Sequence, residues 1–183
     1  MNPIELIKKH YSENEKSFSI LVSHSKLVAL KALEVAERVP ELNPDLKFIE
    51  EAAMLHDIGI KFTNAPEIGC NGDRPYICHG FIGRRLLEEE ELQKHALVCE
   101  RHTGVGISKK EIIENKLPLP ERDCIPETIE EKIIAFADKF YSKNSGNLLK
   151  QNSLKRIRNE LMVHGENKAE KFNEWMKIFK ESE

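Results

Sequence analysis

Long apolar runs are missing from this sequence. Nothing approaches the roughly 18 residues that cross a bilayer, and the opening Met-Asn-Pro-Ile-Glu-Leu-Ile-Lys-Lys lacks the apolar centre of a secretory signal. A soluble cytoplasmic chain without a membrane partner is expected. Cysteine is sparse. Cys70, Cys78, Cys99 and Cys124 form no CxxC pair, and their spacing suits neither a zinc ribbon nor a compact disulfide framework, so they read as reduced thiols. Neither sign of charge dominates: 28 Lys and Arg stand against 31 Asp and Glu, for a net charge of -3. That balance argues against a nucleic-acid duplex as partner. Internal repeats, low-complexity runs and period-2 stretches are absent too, which points to an all-α class.

What remains is a chain of 183 residues, 40% of them hydrophobic, enough for one good core and short for two. A single domain over 1–183 is expected. Pro3 starts a short helix reaching about Tyr11. From Phe18 to Val39, Ile20, Leu21, Leu27, Val28, Leu30, Leu33, Val35 and Ala36 recur at helical spacing, and His24 falls on that face. After the Asn43-Pro44-Asp45 turn, Phe48, Ile49, Ala52, Ala53 and Leu55 mark the next helix. Thr63 to Cys78, rich in Gly, Pro, Asn and Asp, reads as a loop. Helices follow from His79 to about Glu89 and from Leu92 to His102. A shorter one begins after Ser108, an N-cap with Glu111 three residues on. Ile129 to Tyr141 is apolar nearly all round and should be the central buried helix. The tail from Asn147 to Phe179 carries helical patterns around Leu148, Leu149, Leu154, Ile157 and Leu161, then Phe172, Trp175 and Phe179. Nothing in that tail suggests chemistry.

The run Ala52 to Lys61 reads Ala-Ala-Met-Leu-His-Asp-Ile-Gly-Ile-Lys. It places an imidazole and a carboxylate at the end of an apolar helix, where an unpaired charge is costly. A cation should sit against them, and a metal ion suits nitrogen and oxygen ligands. Similar oddities recur: His24 on an apolar face, His79 and His102 beside glycine breaks, Asp138 in the most apolar helix. Taken singly, each has an ordinary reading as a hydrogen-bonded core histidine or a paired buried carboxylate. One metal centre accounts for all of them together.

In this order, His24, His56-Asp57, His79, His102 and Asp138 resemble the signature of the HD superfamily of metal-dependent phosphohydrolases, and His56-Asp57-Ile58-Gly59 matches its HDIG variant. The resemblance covers about 19–141. Within it, His79-Gly80, His102-Thr103-Gly104 and Glu131 to Asp138 are similar to HD-type bacterial hydrolases that split dinucleoside polyphosphates symmetrically. The resemblance implies a helical bundle, extended here by C-terminal helices. It also implies that His24, His56, Asp57 and Asp138 hold one metal, that His79 and His102 hold a second, and that Asp57 is shared. Iron is the expected metal, with manganese, cobalt, nickel or zinc as alternatives.

A bridging water activated by such a pair would attack phosphorus in a small phosphorylated, nucleotide-type substrate. Asp57 and Lys61 are the catalytic candidates. Lys61, Arg84 and Lys139 are candidates for substrate phosphate, with Arg85 weaker, and Asn71, Asp73 and Arg74 for other contacts. Lys61 departs from the usual pattern, in which lysine directly follows the glycine; here Ile60 does. Three other readings stay open: a mixed-valence di-iron oxygenase of the same superfamily, a non-catalytic nucleotide-binding module, and a single-metal nucleotidase. His10, His95 and His164 are expected at the surface. The oligomeric state is unknown.

Overall fold

The computed structural model describes residues 1–143, 146 and 149–182. Helices dominate: α1 (Pro3–Lys8), α2 (Lys16–Arg38), α3 (Leu46–Leu55), α4 (His79–Glu89), α5 (Gln93–Arg101), α6 (Lys109–Glu114), α7 (Ile129–Asp138), α8 (Leu154–Val163) and α9 (Glu166–Ile178). The protein is all-α, and its β structure is a two-residue antiparallel ladder in which Asn64 faces Asn71 and Ala65 faces Cys70. No helix among the described residues is long and apolar enough to cross a membrane.

Local chemistry sets the helix starts. Asp45 caps α3 by accepting from the Phe48 amide at 2.9 Å, and Thr128 caps α7 by accepting from the Glu131 amide at 3.2 Å. Ser108 and Glu111 form a reciprocal capping box on α6. Each cap satisfies amides that have no partner inside the helix, for about 1 kcal/mol.

The long α2 is the spine, packed against α3 and α7, while α4 and α5 pair with each other and α8 with α9. Two apolar clusters meet along it. One gathers α2, α3, α7 and α9, and the other gathers α1, the first turns of α2, α4 and α5. Phe136 of α7 stacks on Phe172 of α9 with ring centroids 5.0 Å apart, and Phe140, Phe179 and Trp175 are buried with them. Trp175, Phe172 and Phe179 are therefore core residues that fasten the tail to α7.

Some expectations are corrected. Leu30 belongs to the apolar pattern of α2 but is 66% exposed, because the core contacts leave that edge of the helix open. Among the described residues, the first helix of the tail begins at Leu154. Leu149 is exposed ahead of it, and Asn147 and Leu148 lie outside the described residues. His164 is exposed, whereas His10 and His95 are half-buried, each with Nε2 shut away from solvent. His95 packs edge-on against Phe48 at 4.8 Å, a cover its polar sequence context did not suggest.

Candidate metal centre

Apart from His24, every member of the His/Asp set sits at a helix end, where side chains of different helices can converge. His56 follows the last residue of α3, His79 opens α4, His102 follows α5 and Asp138 closes α7. Gly59 makes this convergence possible. A Cβ there would stand 2.1 Å from the His79 carbonyl oxygen and 2.5 Å from the Gly83 amide nitrogen, so α4 packs directly on the turn that carries Asp57.

All six side chains meet, and all are buried. Asp57 lies at the middle and uses its two oxygens for different neighbours. Its Oδ2 is 3.1 Å from His56 Nε2 and 3.3 Å from His24 Nε2. Asp138 Oδ1 closes that group at 3.0 Å from His24 Nε2 and 3.4 Å from His56 Nε2. Asp57 Oδ1 faces the other way, 3.3 Å from His79 Nε2 and 3.4 Å from His102 Nε2, and those two nitrogens are 3.1 Å apart.

Three of the imidazoles are oriented by the same device. Nδ1 of His56 bonds the Ala53 carbonyl at 2.6 Å, that of His79 the Tyr76 carbonyl at 2.7 Å and that of His102 the Cys99 carbonyl at 2.8 Å, each three residues back. A carbonyl can only accept, so a proton is assigned to Nδ1 of each ring, and a ring that is neutral offers Nε2 as a lone pair. His79, His102 and Asp57 Oδ1 therefore present three acceptors to one point with no proton among them. His56 Nε2 and Asp57 Oδ1 are buried without a hydrogen-bond partner.

Such a donor set fits divalent cations. Atoms bound to one ion at about 2.0–2.2 Å lie about 3 Å apart when the bond angles are near 90°, the spacing found in both groups. The orienting carbonyls are the usual outer support of a metal-bound histidine.

Burial and charge shape the protonation of the metal-free cluster. Burial works against a charged His56, but Asp57 and Asp138 outweigh it and raise its pKa to about 9. Burial drives His79 down to about 3 and lowers His102 as well. Burial also opposes charge on Asp57, yet His56 and Lys143 hold its carboxyl well below the usual range.

Lys143 escaped the sequence reading. Its Nζ is 2.6 Å from Asp57 Oδ2 and 3.9 Å from Asp138 Oδ1. Burial disfavours its charge, but Asp57, Tyr76 and Asp138 keep it an ammonium. It lies past the end of α7, where helical periodicity no longer tells which way a side chain points, and nothing in Tyr141-Ser142-Lys143 marked it. Lys139 was expected near phosphate and does reach the centre's edge, with Nζ 2.8 Å from Asp138 Oδ2.

The other cations expected at the site are elsewhere. Lys61 points into the joint between α1 and α2, where Nζ bonds the His10 carbonyl at 2.7 Å and Glu15 at 2.9 Å. It stands two residues beyond Gly59, with Ile60 between them. Arg84 is held by Glu88 and by buried Glu100, which Arg122 also engages, and Arg85 is exposed. Asn71, Asp73 and Arg74 are exposed on the loop. Tyr76 is the loop residue that reaches inward, its ring 4.8 Å from that of His79.

A cleft of about 470 Å³ is lined by Asp138, Lys139 and Lys143 from the end of α7 and just beyond it, by Asn152, Arg156 and Glu160 from α8 and just before it, and by Glu67 and Tyr76 from the loop. The tail thus does contribute to the site's surroundings. Its residues looked inert because their pattern is that of a plain amphipathic helix.

The model of the HD domain matches residues 21–142. The chain belongs to the HD domain family. The chain is 37% identical over 137 residues to an uncharacterized protein of Methanocaldococcus jannaschii, covering 69% of this chain and 73% of that one. It is 34% identical over 140 residues to a tRNA (cytidine(56)-2'-O)-methyltransferase of Picrophilus torridus, covering 76% of this chain. The chain spans about a third (36%) of the length of that methyltransferase. Among solved structures it is similar to the HD domain of the L. monocytogenes phosphodiesterase PgpH in complex with cyclic-di-AMP. The TM-score is 0.54 at 15% identity, over 94% of this chain and 92% of that one, a likeness of fold.

Proposed function

We propose that this HD protein is a metal-dependent phosphohydrolase acting on a small nucleotide-type substrate. The observation that carries the reading is the unprotonated meeting of His79 Nε2, His102 Nε2 and Asp57 Oδ1 beside a second group that uses Asp57 Oδ2. One buried carboxylate facing two acceptor groups calls for two cations. His24, His56, Asp57 and Asp138 would hold one ion, and Asp57, His79 and His102 the other, with iron expected and manganese, cobalt, nickel or zinc able to replace it. When bound, such a pair supplies an activated water and draws in phosphoryl oxygens.

The protein's own residues do the rest. Asp57 fixes the spacing of the two groups, and the three Nδ1–carbonyl bonds hold the imidazoles in register. Lys139 and Lys143 place positive charge where a phosphoryl group would approach past Asp138, which offsets charge as it develops. Water attacks phosphorus, the bond to the leaving oxygen breaks with its electron pair, and the proton given up by the water goes to an ester's leaving oxygen or, for an anhydride, to solvent. The deciding experiment is a phosphate-release screen of metal-loaded protein over nucleoside mono-, di- and triphosphates and dinucleoside polyphosphates. Manganese is exchanged for iron, and air is excluded. Turnover of at least one class without oxygen is expected; strict dependence on iron and oxygen would favour oxygenase chemistry instead.

A second reading has one observation behind it, the resemblance to a methyltransferase of tRNA. Methyl transfer has no use for a hydrolytic metal pair, so this part would serve a separate phosphoester cleavage in the same RNA context. Oligonucleotides ending in a 2',3'-cyclic phosphate or a 3'-phosphate, added to the screen, test it: selective cleavage of these over free nucleotides supports it.

A further inference from the structure

We infer that the cleft between the end of α7 and the start of α8 binds the second phosphate of a phosphoanhydride substrate, and that Arg156 is the residue that reads it. This rests on the phosphohydrolase reading above and narrows its substrate class.

The cleft starts at the metal centre, since Asp138 belongs to both, and its volume of about 470 Å³ lies within the ~300–1,000 Å³ typical of small-molecule sites. At its inner end, Lys143 and Lys139 are committed to Asp57 and Asp138. They face whatever phosphoryl group reaches the metals. Arg156 lines the same cleft and is paired with Glu160.

Its position is built rather than incidental. Buried Asn152 sends its backbone amide to the Phe140 carbonyl at 2.8 Å and its Nδ2 to the Lys139 carbonyl at 3.0 Å, which fixes the start of α8 against the end of α7. Ser153 caps α8 through the Arg156 amide at 3.3 Å, so Arg156 is held one turn in. Its partner is Glu160 at 2.7 Å, and their side chains are 50% and 56% exposed. A solvent-exposed pair of this spacing contributes little to stability, so exchanging Glu160 for a phosphate is cheap. The guanidinium fork matches two phosphate oxygens at once. Glu67 and Glu160 also line the cleft, and their negative charge disfavours a long run of phosphates in it.

Lys143, Asn152 and Arg156 all lie past residue 142, where the match to the HD model ends. Recognition of the second phosphate is therefore a property of this chain's own extension. In the reaction, the water oxygen bonds to the scissile phosphorus and the P–O–P bridge breaks, its electron pair going to the second phosphate. The charge that appears there lies against Arg156. One proton is released to solvent.

The test is calorimetric binding of imidodiphosphate, whose P–N–P link replaces the scissile oxygen, and of inorganic phosphate to metal-loaded protein. Wild type should bind imidodiphosphate at least about tenfold more tightly than phosphate. Arg156→Gln should erase that preference, leaving phosphate affinity and metal content as they were, and Arg156→Lys should restore it in part. Equal affinity for the two anions in wild type overturns the inference, as does an Arg156→Gln effect that is absent or equal for both. A binding contrast without hydrolysis of any phosphate compound keeps the anion site and removes the phosphohydrolase reading. Hydrolysis without the contrast does the reverse.

Discussion

Asp57 is the residue on which both ligand groups depend, because its two oxygens face in opposite directions. Asp57→Ala should therefore lower bound metal from two ions per chain to below one, whereas His79→Gln should remove only one; elemental analysis after gel filtration distinguishes them. Loss of a single ion in both variants would mean that the carboxylate is not shared. Lys61 makes a contrary prediction. Its ammonium is occupied by Glu15 and the His10 carbonyl, so Lys61→Met should leave kcat/KM within about twofold and cost about 0.5–1 kcal/mol of stability in urea unfolding. At this scale the histidines and aspartates were legible, because a polar side chain on an apolar helix face is anomalous in a sequence. Lys143 and Arg156 were not, because lysine and arginine next to a loop are ordinary until the chain's path is known.

Among the elements, the junction from α3 to α4 is the most constrained. Gly59 has an ordinary φ of -81°, so its requirement is space and not backbone freedom. Any side chain there meets the carbonyl of His79 and the amide of Gly83, backbone that cannot swing aside. Gly59→Ala should push α4 away from Asp57, cost at least about 1–3 kcal/mol and halve the metal content, measured by thermal melting and elemental analysis. Approximate helix positions and the Ser108–Glu111 cap could be read in advance, since capping chemistry and apolar period are local. The half-burial of His95 could not, because Phe48 covers it from another helix.

For the whole molecule, the metal centre and the core draw on the same helices. α7 presents Phe136 to the aromatic core of α9 and delivers Asp138 to the centre at its end. Stripping the metals leaves buried acceptors facing one another, so chelated protein should melt at a lower temperature and regain stability when manganese or iron is restored. At an ion concentration of 100 times Kd the gain is about 2.7 kcal/mol per site. An unchanged melting temperature on metal addition would contradict a centre built into the fold.

The sequence by itself determined most of the helices and the six side chains singled out for a metal, since each of these follows from local period or a local conflict between charge and burial. Only the tertiary structure decided which cations accompany them. Lys61 and Arg84 were drawn off by Glu15 and by Glu100, and Lys143 and Arg156 were brought in by the turn after α7 and by the docking of α8. The physical reason is reach: a long, flexible charged side chain goes to whichever counterion the fold places near it, and that neighbour is set by packing between distant segments.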